Sequence, residues 1–325
     1  AHMSSSWSLS RAYEQSGTRS ATAPPSETGS SEDTHGAMAG HLSPSTDTHG
    51  FPMHLGPYRF LIKERMMGCY SAVYVWRCCY DRVRGASSNI VKSGLLAGRM
   101  GNKGAVGARV VLSSAVPGGC DEVCTFVCAH LAAHDHNVQR RHAEWRAVCE
   151  RLVFDPMSVQ VLPPLQEPVS QEKPATVNAV DPHAYSLYDT HHLFVLGDLN
   201  YRLATGVEGV SPAGRHTAPG TFPPITRGDV LQVARTFESQ RWASLAPYDQ
   251  LVRERFAPTP RTMHHLHVPD MSVYHIPPTY KYKARGEMEQ LSTKRLPGWP
   301  DRLLWGSSDA SAGNQAIQCE LYRSC

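Results

Sequence analysis

The chain has 325 residues, of which 41% are hydrophobic, and a formal net charge of +3. This charge is too small to predict a nucleic-acid partner, although it permits a local basic cluster around an anionic substrate. Nine cysteines at irregular spacing, with no Cys-x-x-Cys pair, argue against a disulfide framework and indicate buried thiols in a reducing, cytoplasmic compartment. No apolar run reaches about 18 residues, so no membrane span is predicted.

The first 50 residues differ in composition from the rest. Ala1-His2-Met3 is typical of an expression-tag remnant, and residues 4–50 are rich in Ser, Thr, Gly, His and Pro. We predict that 4–50 is disordered or a long surface insertion.

Ordered elements are expected from about Tyr58. Residues 59–80 are rich in β-branched and aromatic residues and predict two strands joined by a turn. A Gly-rich turn then leads into a strand over 101–114, which we expect to pair with a strand over 122–131. Apolar residues at helical spacing predict an amphipathic helix over 137–154.

The second half alternates predicted loops with short elements. Long loops are predicted over 155–190 and 204–226, a buried strand over 191–203, two short helices within 228–256, and strands over 273–282 and 300–305. Because the helices are scattered between strands, the pattern predicts a layered α/β (α+β) domain, with sheet packed on sheet or sheet covered by helices.

The stretch Gly197-Asp198-Leu199-Asn200 follows the predicted buried strand. Asp198 and Asn200 are two residues apart and would share one face of an extended segment. A carboxylate and an amide so placed could orient a water and hold a phosphoryl oxygen or a metal. A simple turn is the alternative, since Gly, Asp and Asn all favour turns.

Two further segments carry candidate site residues. His130 ends an apolar strand and is either a catalyst or a core histidine, and a metal pair with His134 would require both on one helix. Asn102 and Lys103 lie among glycines, in a pattern that departs from a phosphate-binding P-loop but would let the backbone approach an anion. A tight turn is the alternative for this second segment.

The C-terminal quarter combines cations with aromatic residues. Lys281, Lys294, Arg295 and Arg302 are interleaved with Tyr280, Tyr282 and Trp299. Several fixed cations are what recognition of more than one phosphate requires. A nucleic-acid backbone or plain solvation of a charged loop are the alternatives.

Together these segments resemble the catalytic domain of the inositol polyphosphate 5-phosphatases, within the endonuclease/exonuclease/phosphatase superfamily. The matching stretches stand in the family's order: GNKGAVG (101–107), AHLAAH (129–134), the pair Arg140-Arg141, GDLNYR (197–202), DQL (249–251), PPTYKY (277–282) and KRLPGWPDRLLW (294–305). On this resemblance, residues 51–325 form one incomplete catalytic domain.

The resemblance implies a two-layered β-sandwich flanked by helices, with long loop insertions, and Mg²⁺-dependent hydrolysis of a 5-phosphate. Asp198 would activate the attacking water, while Asn200 and His130 would hold the scissile phosphate. Asp301 and Arg302 would support the site from behind. The substrate pocket would be lined by Asn102, Lys103, Tyr201, Arg202, Tyr280, Lys281, Lys294 and Arg295.

Some family elements are not found. The Trp-Asn strand, the Gln-Glu pair whose Glu binds Mg²⁺, and the closing Ser-Asp-His are missing, so no residue is assigned as the metal-binding Glu. Gln166-Glu167 and Gln171-Glu172 lie out of order in a predicted loop, and Pro300 replaces the usual Cys before Asp301. We expect a chain truncated at both ends, or a gene sequence lacking exons, that is poorly active and marginally folded.

The implied substrate is a phosphoinositide lipid or a soluble inositol polyphosphate, met in the cytoplasm or at the cytosolic face of a membrane. No nucleic-acid partner is expected, and the sequence does not fix the oligomeric state. Two alternatives remain: a catalytically dead phosphoinositide-binding or scaffold module, and a nuclease or phosphodiesterase of the same superfamily.

Overall fold

The fold is described from a computed structural model. It describes residues 54–93, 102–115, 117–155, 159–160, 176–177, 184–207, 223–235, 239–257, 262–263, 265–268, 274–282, 291–292, 294–307 and 317. The predictions for residues 1–50, and the two Gln-Glu pairs, lie outside these ranges.

Ten strands occur in the described part of the chain. They are β1 (His54–Leu55), β2 (Tyr58–Met66), β3 (Cys69–Trp76), β4 (Val83–Ser93), β5 (Lys103–Leu112), β6 (Glu122–His130), β7 (Val159–Gln160), β8 (Thr176–Val177), β9 (His192–Asp198) and β10 (Asp301–Ser307). The four α-helices are α1 (Val138–Arg151), α2 (Arg227–Arg235), α3 (Ser239–Trp242) and α4 (Gln250–Arg255).

A mixed five-stranded sheet is the centre of the fold, with strand order β10-β9-β6-β5-β4. The β6–β9 pair is parallel and the other three pairs are antiparallel. A parallel pair needs a long crossover connection, and the chain between β6 and β9 contains α1. The carboxyl ends of β6 and β9 therefore lie at the same edge of the sheet.

A second sheet, β1-β2-β3, packs across the central one, with β2 against β4 and β5 and β3 against β5 and β6. Helix α1 packs on β4 and β5. It contributes Trp145 and Val148 to a core that also contains Leu152, directly after the helix, and Val127 and Val195. The predicted two-layered β-sandwich flanked by helices is confirmed.

A second apolar cluster joins the helical segment to the loops at the sheet edge. Val230 of α2, Trp242 of α3 and Leu245 pack with Leu203, which follows β9, and with Trp299, which precedes β10. This packing holds the segment before β10 against the loop after β9. No helix in the described ranges is long and apolar enough to cross a membrane.

Most predicted elements are found where expected, but β7 and β8 lie within the predicted loop over 155–190, and three further elements differ. Strand β4 was not predicted, because it contains Gly85 and several polar residues. It is stabilised as a strand by pairing with β5. Residues 274–282 do not form the predicted strand, because Pro277 and Pro278 donate no backbone hydrogen bonds, and only isolated bridges at Tyr280 and Tyr282 occur. Within 228–256 there are three α-helices and a 3₁₀ segment, Ala243–Tyr248, instead of two helices.

Candidate active site

The candidate site lies where parallel strands β6 and β9 end. His130 is the last residue of β6 and Asp198 the last of β9. The Leu131 N–H donates to the Asp198 carbonyl at 3.1 Å, which ties the two strand ends together. At Gly197 (φ +122°) a Cβ atom would lie 2.3 Å from the Ala129 carbonyl oxygen, so only glycine permits this close approach.

An acid, an imidazole and an ammonium meet at this edge. Asp198 Oδ2 lies 3.4 Å from His130 Nε2, and Lys103 Nζ, at the start of β5, also contacts His130 Nε2. Burial lowers the pKa of Lys103 below its ordinary value, while the negative charge of Asp198 opposes that shift. The three predicted residues are thus brought together from three strands.

Asn200 is fixed in an unusual backbone conformation. Its φ is +58°, which Asn tolerates better than most residues. Its N–H donates to Asp198 Oδ1 at 3.1 Å, its Nδ2 donates to the Leu131 carbonyl at 3.0 Å, and its Oδ1 accepts from Arg202 Nη2. Residues 197–200 therefore form a turn, and the same turn brings the polar groups of Asp198 and Asn200 together.

A second carboxylate stands beside Asp198. Asp301 is its register partner at the start of β10, on the neighbouring antiparallel strand. Burial raises the pKa of the Asp301 carboxyl above its ordinary value, and the charge of Asp198 raises it further. The two acids therefore repel each other at the sheet edge.

The predicted basic segment reaches the same edge. The Arg202 guanidinium lies 4.0 Å from the centre of the Tyr280 ring, and Tyr280 pairs with Gly298 in an isolated bridge. Arg295 Nη1 lies 3.3 Å from His134 Nδ1, four residues beyond His130. Lys281, which follows Tyr280, and Lys294, which precedes Arg295, are exposed.

Asn102 is exposed immediately before Lys103. Gly68, in the turn between β2 and β3, lies against it: a Cβ at Gly68 would be 2.8 Å from both the Asn102 carbonyl oxygen and His130 Nδ1. The β2–β3 turn thus forms one side of the site.

Three predicted site residues are buried: Asn200, Tyr201 and Arg302. Tyr201 has no exposed surface and packs in the core near His142 and Arg141, so its prediction as pocket lining is corrected to a packing role. Arg302 is buried and forms an ion pair with Asp249, and its place behind the site stays a prediction.

A metal ion at this edge would need protein ligands among the described residues. Within those ranges no group of three or more His, Cys, Asp or Glu side chains could hold a metal ion. Mg²⁺, however, typically uses one or two protein carboxylates together with substrate phosphates and waters. The mutually repelling Asp198 and Asp301 satisfy that smaller requirement, so the residues present fit such an ion.

Three supporting residues were not assigned roles from the sequence. Glu144 Oε2 accepts from the Ala132 N–H at 2.7 Å, and Arg141 and Gln250 hydrogen-bond to each other at 2.7 Å behind the site. Arg141 and Gln250 do belong to matched motifs, Arg140-Arg141 and DQL. These motifs were the one sign in the sequence that the two residues matter. Their contact joins positions 109 apart, so a local sequence pattern could not predict it.

A family model described as "Endonuclease/Exonuclease/phosphatase family 2" matches residues 46–325. Type IV inositol polyphosphate 5-phosphatase 3 of Arabidopsis thaliana is 26% identical over 256 residues, covering 76% of this chain and 30% of the relative. Type II inositol 1,4,5-trisphosphate 5-phosphatase of Mus musculus is 28% identical over 242 residues, covering 74% of this chain and 19% of the relative. The chain thus spans less than a third of either relative.

The fold is similar to that of a solved structure. That structure is the inositol polyphosphate 5-phosphatase domain of SPsynaptojanin, in complex with inositol (1,4)-bisphosphate and a calcium ion. The TM-score is 0.50 with 20% sequence identity, covering 77% of this chain and 55% of that one.

Proposed function

The chain belongs to the endonuclease/exonuclease/phosphatase family, and on that premise we propose that it is a phosphoric monoester hydrolase of the inositol polyphosphate 5-phosphatase type. The proposed substrate is an inositol ring carrying a 5-phosphate, as a phosphoinositide headgroup or a soluble inositol polyphosphate. The names of the relatives and of the structural neighbour support this substrate class.

The observation that carries the proposal is the contact of Asp198 with His130 at 3.4 Å, beside Lys103 and Asn200. Asp198 accepts a proton from a water molecule as its oxygen attacks the phosphorus. His130 and Lys103 stabilise the charge on the phosphoryl oxygens. The bond between phosphorus and the ring oxygen breaks, and the products are inorganic phosphate and a ring hydroxyl that has taken up a proton.

The cations around the site would bind the remaining phosphates. Arg202 stacks on Tyr280, and Arg295 lies beside His134. In this proposal Lys281 and Lys294 contact a neighbouring phosphate. A divalent ion, proposed as Mg²⁺ and held by Asp198 and Asp301, would supply further charge neutralisation at the phosphate.

The proposal is tested by phosphate release from inositol 1,4,5-trisphosphate and inositol 1,4-bisphosphate, with Mg²⁺ and with a chelator. Release that requires the 5-phosphate and the metal, and is lost in Asp198→Asn, supports it. Tight binding of the trisphosphate without release would favour a binding or scaffold module. Cleavage of a phosphodiester in preference to either substrate would favour the nuclease or phosphodiesterase alternative.

A further inference from the structure

We propose that Gln250 is a positioning residue that, together with Arg141, fixes the two substrate-facing arginines Arg202 and Arg295 relative to His130. This inference rests on the proposed function for its consequence in catalysis. Its structural basis is a buried hydrogen-bond network behind the site, between the loop after β6 and the loop after β9.

All polar atoms of the Gln250 side chain are used. Its Oε1 accepts from the Arg202 N–H at 2.9 Å and from Arg141 Nη2 at 2.7 Å, while its Nε2 donates to the Asp135 carbonyl at 2.9 Å. Because Oε1 faces two donors and Nε2 faces an acceptor, the amide has one favourable orientation. The Gln250 N–H also donates to the Arg202 carbonyl at 2.9 Å, so side chain and backbone hold the same residue.

Arg141 fixes the opposite side of this network. Its side chain is fully buried, and Nη1 donates to the carbonyls of Ala132 at 3.0 Å and His134 at 2.6 Å. Nη2 reaches the Asp135 carbonyl at 3.4 Å as well as Gln250. A buried guanidinium is costly unless its donors are satisfied. The two terminal nitrogens of Arg141 depend on these carbonyls and on Gln250 Oε1, because its Nε has no hydrogen-bond partner.

The network ends at two residues of the site. Gln250 Oε1 accepts from the Arg202 N–H, and the Arg202 side chain donates to Asn200 Oδ1 and stacks on Tyr280. Through the His134 carbonyl, Arg141 holds the residue whose ring lies 3.3 Å from Arg295. Loss of the shared acceptor, Gln250 Oε1, would therefore loosen the positions of both Arg202 and Arg295.

Three substitutions separate this role from simple packing. Gln250→Met keeps the length and removes both polar groups. Gln250→Glu keeps the acceptor that faces Arg202 and Arg141 and loses the donor to Asp135. Gln232→Met, on the exposed face of α2, is the matched control. The readouts are amide hydrogen exchange at Arg202, calorimetric affinity for inositol 1,4,5-trisphosphate, and KM and kcat for phosphate release.

In Gln250→Met we expect exchange at the Arg202 amide to accelerate at least about tenfold, binding of the trisphosphate to weaken by about tenfold or more, and KM to rise more than kcat falls. Gln250→Glu should restore most of the protection and affinity, and Gln232→Met should match the wild type. If Gln250→Met does not fold, Gln250→Asn, which keeps the amide but is one methylene too short, should give the same losses.

Unchanged Arg202 exchange, or equal losses of affinity in Gln250→Met and Gln250→Glu, would overturn the proposal. A loss of thermal stability with no change in affinity would overturn it too. If exchange responds as expected but the wild type neither binds nor hydrolyses the trisphosphate, the positioning of Arg202 by Gln250 is supported and the proposed function is the part that fails.

Discussion

Asp198 Oδ2 lies 3.4 Å from His130 Nε2, and the two residues end neighbouring parallel strands. The contact depends on the sheet, because 68 positions separate the residues in sequence. The strand ends are held by the hydrogen bond from the Leu131 N–H to the Asp198 carbonyl and by the close approach at Gly197. The chemistry of the site is thus a property of the central sheet and does not rely on a mobile side chain.

Asp198→Asn should abolish most of the proposed hydrolysis and leave the fold intact. The amide keeps the size of the side chain but accepts no proton from water, and a positioned base typically contributes about 10²- to 10⁴-fold. Phosphate release should fall by that range, as measured by initial rates at saturating substrate. Asp121→Asn, at an exposed site before β6, is the control and should keep wild-type rates. Full activity in Asp198→Asn would exclude Asp198 as the base.

Gly68→Ala should disturb the site through contact with His130. The new Cβ would lie 2.8 Å from His130 Nδ1 and from the Asn102 carbonyl oxygen, and overpacking of this kind costs about 1–3 kcal/mol. Gly56→Ala is the matched control, because Gly56 also has a positive φ (+56°) but no atom within 4 Å of the added Cβ.

Urea denaturation of both variants separates backbone strain, which they share, from contact, which only Gly68→Ala introduces. We expect Gly68→Ala to be the less stable and to lose substrate affinity. Equal losses in the two variants would mean that the contact with His130 and Asn102 is relaxed at no cost.

Asp301→Asn should stabilise the protein at neutral pH in the absence of divalent metal. Burial, and then repulsion from Asp198, raise the pKa of Asp301 in the folded chain. Between the unfolded pKa, about 3.9, and the folded one, the folded state binds more protons, so stability falls as pH rises through that window. The advantage of Asp301→Asn should be complete above the folded pKa and vanish below the unfolded one.

Asp229→Asn is a control for which we expect the opposite dependence of stability on pH. Hydrogen bonds from the Thr226 hydroxyl and N–H lower the pKa of Asp229, so its contribution to stability is present above the unfolded pKa and is lost as pH falls through the folded one. Urea midpoints from pH 3 to 8 check both variants. Parallel curves for the wild type and Asp301→Asn would contradict the raised pKa.

Removing one partner of the buried Arg302–Asp249 ion pair should be strongly destabilising. Asp249 also accepts from the Leu251 N–H at 2.8 Å and the Val252 N–H at 3.3 Å as the cap of α4. Arg302→Met leaves the Asp249 carboxylate without its counter-charge, at a cost of about 3–5 kcal/mol. Combining Arg302→Met with Asp249→Asn should recover part of that loss, because the buried charge is gone and the cap acceptor stays.

A double-mutant cycle on urea unfolding measures this coupling. Arg253→Met, on α4 but partly exposed, should change stability by less than about 1 kcal/mol. Additive losses in the cycle would show that the two side chains are energetically independent.

The strands that are rich in apolar and β-branched residues can be predicted from the amino-acid sequence alone. β5, β6 and β9 carry long apolar runs, and α1 carries Trp145 and Val148 at helical spacing, so local pattern and final structure agree. The sequence also singled out Asp198, Asn200 and His130 as candidates, because polar groups directly after buried strands are costly to bury unpaired. Their proposed roles came from the resemblance to the 5-phosphatase family.

The remaining features depend on contacts between segments that are distant in sequence. β4 carries too few apolar residues to signal a strand and is formed by pairing with β5, whereas the prolines at 277 and 278 prevent the strand expected there. Tyr201 follows two site residues in sequence, yet its ring is buried in the core. The Arg141–Gln250 contact joins positions 109 apart. Such features depend on which surfaces the packed sheets and helices bury together, and the spacing of residues along the chain does not contain that information.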